Sequence, residues 1–194
     1  CSDEIHCGLI LDEDKRHIPI ATLDYQVARR TITLMAPSKT YNIPGLGCSF
    51  AVIPDAGLKR RFLQAMAGIV PHVSTLGFTA ALAAYREGGQ WRMELLDYLR
   101  GNRNIVQKAV DSMPGLSMSP VEATYLAWID AREAGIEHPA RFFEDAGVGL
   151  SNGVEFGGPG FVRLNFGCPR SLLLEALKRM ESALRRLGRL HGGE

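Results

Sequence analysis

An excess of charge of either sign is missing from this 194-residue chain: Lys and Arg together number 22, Asp and Glu 21, for a formal net charge of +1. No general field therefore draws in nucleic acid or an anionic membrane surface. No apolar run reaches the 18 or so residues, roughly, that a bilayer span requires. The opening CSDEIHCGLI lacks the charged-then-apolar layout of a signal peptide. Cysteine is sparse: Cys1, Cys7, Cys48 and Cys168 are scattered without a CxxC pair, which argues against a disulfide scaffold and a zinc site and suits a reducing cytoplasm. Internal repeats and low-complexity tracts are lacking too. There is no initiator Met, and an acidic start runs straight into an apolar segment, so the reading expects the C-terminal part of a longer protein.

What is present is ordinary for a globular protein, with 46% hydrophobic and 22% charged residues. The length suits one large domain or two small ones, with enough chain to bury a core. Ile5 to Leu11 reads as a strand end followed by a loop, and Asp12 to Asp24 as a surface connection. Thr31 to Met35 and Phe50 to Ile53 read as strands. Leu58, Phe62, Leu63 and Met66 recur at helical spacing, predicting a helix over about 57–68. Thr75 to Val110 is a long helical region loosened at Gly88-Gly89. Past the Met113-Pro114-Gly115 turn, Tyr125 to Ile129 reads as a strand and Ile136 to Ala146 holds a short helix. Val148 to Leu150 and Phe161 to Phe166 read as strands around the glycine-rich loop Gly153 to Gly160. Ser171 is placed to cap a last helix whose stripe is Leu173, Leu177, Met180, Leu184 and Leu187. The pattern is the end of an α/β sheet domain over 1–85, a bridging helix over 86–112, and a small α+β domain over 113–194.

Three places carry possible chemistry. In TITLMAPSKTYNIPGLGCSF, Lys39 follows a strand and a proline, stands between the hydroxyls of Ser38 and Thr40, and precedes a glycine-bearing turn. A partly desolvated lysine can attack a carbonyl and form a Schiff base, and grouped amides and hydroxyls suit a phosphate. The plain alternative is a solvated loop lysine. In SDEIH, Asp3, Glu4 and His6 are either an exposed loop start or a polar cluster at the carboxyl end of a strand, where open α/β sheets hold ligands. No second histidine lies at ligand spacing, so no metal site is expected. In GFVRLNF, Arg163 interrupts an alternating strand; it either faces solvent or grips a carboxylate through two parallel hydrogen bonds.

SDEIH, APSKTYNIPGLG and GFVRLNFGCPRS, in this order, resemble the C-terminal half of pyridoxal-phosphate enzymes of the aspartate aminotransferase fold, fold type I. VPHVSTLG, PVEATYLAWID and FFEDAGVGLSNG extend the likeness over essentially the whole chain. Within that superfamily the sequence is similar to the cystathionine β-lyases of the MalY and PatB branch. The resemblance implies pyridoxal 5'-phosphate as cofactor, with Lys39 as the lysine joined covalently to its aldehyde and Asp3 as the aspartate pairing with its pyridine nitrogen. His6 falls where many relatives carry a tyrosine hydrogen-bonded to the cofactor's phenolic oxygen, Ser38 corresponds to a phosphate contact, and Arg163 to the arginine holding the substrate α-carboxylate. The sequence departs from the aminotransferase pattern at two phosphate positions. Gly47 stands where those enzymes carry an arginine, and Ala36 where they often carry a serine. That departure is typical of the β-lyase branch.

The resemblance further implies a carbon–sulfur β-lyase that eliminates a thiol from an L-cysteine S-conjugate, giving pyruvate and ammonia, within a cytoplasmic homodimer. The runner-up is an aminotransferase of the same fold, because the same lysine, aspartate and arginine serve both reactions. A regulator-binding protein of low activity, and a half-chain inactive without its N-terminal half, are the other readings. A small amino acid is the expected substrate; nucleic acid and membrane are not expected partners.

Overall fold

Two β-sheets organise the chain, and the computed structural model describes residues 1–191. The chain divides into two units, Cys1–Leu96 and Asp97–Glu194. Among the described residues no helix is long and apolar enough to cross a membrane, and all four cysteines are free thiols.

The first unit is built on a three-stranded sheet of β1 (Ser2–Asp3), β2 (Thr33–Met35) and β3 (Phe50–Val52), in that order. Strands β1 and β2 run parallel with Asp3 opposite Leu34, whereas β3 returns antiparallel with Ala51 opposite Leu34. Around it stand α1 (Tyr25–Arg29), α2 (Ala56–Met66), α3 (Thr75–Glu87) and the first part of α4 (Gly89–Asp111). Helix α2 starts where Asp55 accepts the Leu58 amide at 2.9 Å, and α3 where Ser74 accepts that of Gly77 at 3.1 Å. The helix expected over 57–68 and the break expected at Gly88-Gly89 are both present.

Two strand expectations shift. The strand end expected at the start of Ile5 to Leu11 falls earlier, at Ser2–Asp3. The loop part of that expectation is present as turns, with the Cys7 amide bonded to the Glu4 carbonyl at 3.0 Å and that of Leu9 to His6 at 2.9 Å. The turns drive Leu9 and Leu11 fully into the core. Strand β2 begins at Thr33 because Thr31 is tied back to α1, its hydroxyl donating to the Val27 carbonyl at 2.7 Å.

The second unit carries β4 (Ser117–Met118), β5 (Leu126–Asp130), β6 (Ser151–Asn152) and β7 (Phe161–Asn165) in an antiparallel sheet ordered β4-β5-β7-β6. It also holds the remainder of α4, α5 (Pro139–Asp145) and α6 (Arg170–His191). Alternation decides the faces. Ala127 and Ile129 of β5 and Val162 and Leu164 of β7 are buried, while Trp128, Asp130 and Arg163 lie on the other face. The core is completed by Val106 and Val110 of α4, Phe143 of α5, and Leu173, Leu177 and Met180 of α6. Leu173, Leu177, Met180 and Leu184 of the expected α6 stripe are buried, and Leu187 is half-buried.

Val148 to Leu150, expected as a strand, is not one. The Gly147 amide bonds to the Glu144 carbonyl at 2.8 Å and the Val148 amide to that of Phe143 at 2.9 Å, so these residues close the end of α5. The pairing with β7 falls instead to Ser151–Asn152. Ser171 does not cap α6, which begins at Arg170. The start is fixed by the Arg170 amide donating to the Tyr98 hydroxyl at 2.7 Å.

Candidate active site

Pleating separates the two carboxylates of SDEIH onto opposite faces. Asp3, at the carboxyl end of β1, is exposed and, among the described residues, accepts only a 3.3 Å bond from the Ile5 amide. It borders a mainly apolar cavity of about 370 Å3 lined also by Leu34, Ala51, Phe62 and Met66; Lys39 and Ser38 do not line that cavity. Glu4 points inward and is 5% exposed. Its carboxylate takes hydrogen bonds from Ser2 Oγ at 2.9 Å and the Ile20 amide at 3.1 Å, and sits 2.8 Å from His17 Nε2. Burial raises this carboxyl, but the bonds from His17, Ser2 and Ile20 outweigh it and leave its pKa below the usual glutamate value.

Glu4 therefore fastens the 17–20 segment beneath the strand end that presents Asp3. A group whose pKa is lowered on folding stabilises the fold above its unfolded value, about 4.3 for glutamate, and that contribution disappears as pH falls through the folded value. The melting temperature of Glu4→Gln is accordingly expected below that of the parent at pH 7, with the gap narrowing as the pH is lowered below about 4.3. A gap that stays constant with pH would mean that Glu4 contributes shape rather than charge. Cys7 is no competing nucleophile: burial, and then the charge of Glu4, push its thiol pKa up.

Lys39 stands in the turn four residues beyond the end of β2 at Met35, as Asp3 ends β1. Because β1 and β2 are paired and parallel, carboxylate and amine emerge at the same, carboxyl, end of the sheet. Open α/β sheets hold ligands at that end. The lysine loop is fixed on both sides. Pro37 is buried, its carbonyl takes the Tyr41 amide at 2.9 Å, and the Ser38 carbonyl takes that of Ile43 at 3.1 Å. Thr40 is buried against Gly8, where a Cβ would lie 2.6 Å from Thr40 Oγ1. Glycine at position 8 is thus required by close approach. Thr40, read from sequence as one of two hydroxyls flanking the lysine for phosphate, is consequently turned into the unit, and Ser38 is the half-buried one. The Tyr41 ring meets Tyr85 edge-on at 5.9 Å and Trp91 in a stack at 6.2 Å.

His6 lies half-buried in the turn after β1. Arg163 belongs to the second unit, at the centre of β7. Its cross-strand partners are Ser151 and Trp128, Nη2 donating to Ser151 Oγ at 3.3 Å. The guanidinium lies over the Phe156 ring, 4.1 Å from the centroid. Among the described residues no carboxylate pairs with Arg163, whereas Arg132, in the turn after β5, is clamped to Asp130 at 2.6 Å. Sequence reading missed Ser151, Trp128 and Phe156. The available signal was an aromatic residue inside the glycine-rich loop preceding the arginine.

The residue types fit pyridoxal phosphate. Among the described residues Lys39 is paired with no carboxylate and Asp3 with no cation, so amine and carboxylate are available to an aldehyde and a pyridine nitrogen; Ser38 offers a hydroxyl to a phosphate.

Residues 1–180 match the family model for aminotransferase class I and II. Cystathionine beta-lyase PatB of Bacillus subtilis (strain 168) is 36% identical over 190 residues, covering 94% of this chain and 49% of that protein. The crystal structure of OvoB superposes with a TM-score of 0.93 at 54% identity, over 95% of this chain and 48% of that one. Cystalysin of Treponema denticola, whose structure contains a pyridoxal 5'-phosphate cofactor, matches with a TM-score of 0.89 at 35% identity over 96% of this chain and 49% of that one. The chain spans about half the length of these relatives. It is a member of the aminotransferase class I and II family, with the mixed helix-and-sheet fold of its pyridoxal-phosphate relatives.

Proposed function

We propose that this chain carries the lysine, aspartate and arginine of a pyridoxal-phosphate-dependent carbon–sulfur β-lyase, acting on an L-cysteine S-conjugate to give a thiol, pyruvate and ammonia. The observation that carries the reading is the placement of Asp3 at the end of β1 and of Lys39 in the turn after its parallel partner β2, at the same end of the sheet. Similarity to proteins named as cystathionine β-lyases favours elimination over transamination. The chain's four free thiols suit a reducing compartment such as the cytoplasm.

Pyridoxal phosphate, when bound, supplies an aldehyde that takes up the substrate amine and a ring that withdraws electrons from Cα. Lys39 would hold that aldehyde before substrate arrives, and Ser38 a phosphate oxygen. Asp3 would hold a proton on the ring nitrogen, and His6 would be the residue nearest in sequence to serve the phenolic oxygen. Arg163 grips the α-carboxylate with its open fork and orients the Cα–H bond. Lys39 Nζ would then serve as general base for the Cα proton. The electron pair left behind forms the Cα–Cβ double bond as the Cβ–S bond breaks, and the sulfur leaves as thiolate. Water then completes the conversion to pyruvate and ammonia.

The full-length, cofactor-loaded enzyme given L-cystathionine is expected to release pyruvate and a thiol in equal amounts without any added keto acid. Turnover that requires a keto-acid acceptor would instead identify an aminotransferase.

A further inference from the structure

We infer that Phe156 is a positioning residue for the substrate carboxylate, acting through Arg163; this rests on the reading of Arg163 as the carboxylate grip. Arginine is long, and its rotamers must be restricted for a two-pronged contact to form at low entropic cost. Two contacts restrict it here. Ser151 Oγ accepts one Nη2 hydrogen at 3.3 Å, and the Phe156 ring lies under the plane at 4.1 Å. A ring face attracts a guanidinium and supports it without using any of its hydrogen-bond donors.

Phe156 is in turn held in place. It ends the tight turn Gly153–Phe156, in which Asn152 Oδ1 accepts the Val154 amide at 3.2 Å. Gly153 is packed so closely on the Gly158 and Phe161 carbonyls that no side chain fits there. Trp128 meets Phe156 edge-on at 6.1 Å and is itself stacked on Phe161 at 5.3 Å. Phe156 remains 49% exposed, so part of the ring is left free of packing within the unit and is covered on one face by the guanidinium. The geometry points to a platform that, with Ser151, limits the positions open to the guanidinium.

The test uses the full-length, cofactor-loaded enzyme with three variants, Phe156→Leu, Phe156→Tyr and Arg163→Met. Two readouts are followed: kcat and KM for an L-cysteine S-conjugate, and the inhibition constants of propionate and of propylamine, which lacks the carboxylate. Loss of the ring face is expected to raise KM and the propionate constant about three- to fivefold in Phe156→Leu. The kcat and the propylamine constant should stay near those of the parent, and Phe156→Tyr should restore binding. Because Phe156 is half exposed, the melting temperature should not fall. If Arg163→Met weakens propionate while Phe156→Leu does not, the platform role is wrong and the arginine reading survives. If propylamine weakens alongside propionate in Phe156→Leu, the ring is a general wall and the inference is likewise overturned. If neither variant alters propionate binding, the carboxylate assignment of Arg163 falls, and the platform with it.

Discussion

Lys39→Ala in the full-length, cofactor-loaded enzyme should lower pyruvate formation at least about 100-fold, toward the 10,000-fold end of what a positioned general base contributes. Borohydride treatment of the parent should fix the cofactor to the peptide containing Lys39, and the variant should take up no label there. The expectation rests on where the amine is held. Its backbone lies between a buried proline and a threonine packed on Gly8, and the next side chain is stacked among Tyr85 and Trp91. A loop so constrained delivers its single amine to one place, and no neighbouring lysine shares that loop. Lys39→Arg separates the roles: it keeps a positive charge but cannot form the covalent link or accept the proton, so it should be as inactive as alanine. Label recovered on a different lysine, or an alanine variant with a tenth of parental activity, would remove Lys39 from the mechanism.

The sequence made this lysine visible through punctuation, since a strand followed by proline, hydroxyls and glycine is legible one residue at a time. Helices α2 and α6 were legible for a related reason, because their apolar spacing repeats over several turns, and in α6 that spacing coincides with burial. The short strands were not. Ser2–Asp3 and Ser151–Asn152 have two residues each, too few for alternation to show, and exist because a longer or parallel neighbour supplies the hydrogen bonds. The apolar Val148 misled because its amide serves the end of α5. In the candidate site, Lys39, Asp3 and Arg163 stand out by residue type. Their supports do not: Glu4 with His17, Thr40 with Gly8, and Arg163 with Phe156 are contacts between segments whose meeting no local pattern announces.

Asn102 is the strongest instance of such a hidden support. It interrupts the apolar stripe of α4 and is fully buried. Its Nδ2 donates to the Phe166 carbonyl at 2.9 Å and the Cys168 carbonyl at 3.0 Å, and its Oδ1 accepts Arg170 Nε at 3.1 Å. The arginine also lies over the Tyr98 ring at 4.6 Å and donates to the Tyr98 carbonyl at 3.3 Å. One amide thus fixes the chain between the end of β7, which bears Arg163, and the start of α6. Asn102→Leu fills the same volume but leaves two carbonyls and a guanidinium proton without partners inside the unit. At about 1–3 kcal/mol for each buried group left unsatisfied, and less than full additivity, the loss should be about 3–5 kcal/mol. That corresponds to a fall of at least about 6 °C in the melting temperature. Asn102→Asp should be no rescue, since it keeps the acceptor for Arg170 but sets a carboxylate oxygen against two carbonyls. The decisive comparison is between these two variants. If aspartate restores most of the stability, the ion pair with Arg170 dominates and the two carbonyl bonds are dispensable. If both fall together, the donor face of Asn102 holds the strand end in place, and binding of the substrate carboxylate at Arg163 should weaken in step with the melting temperature.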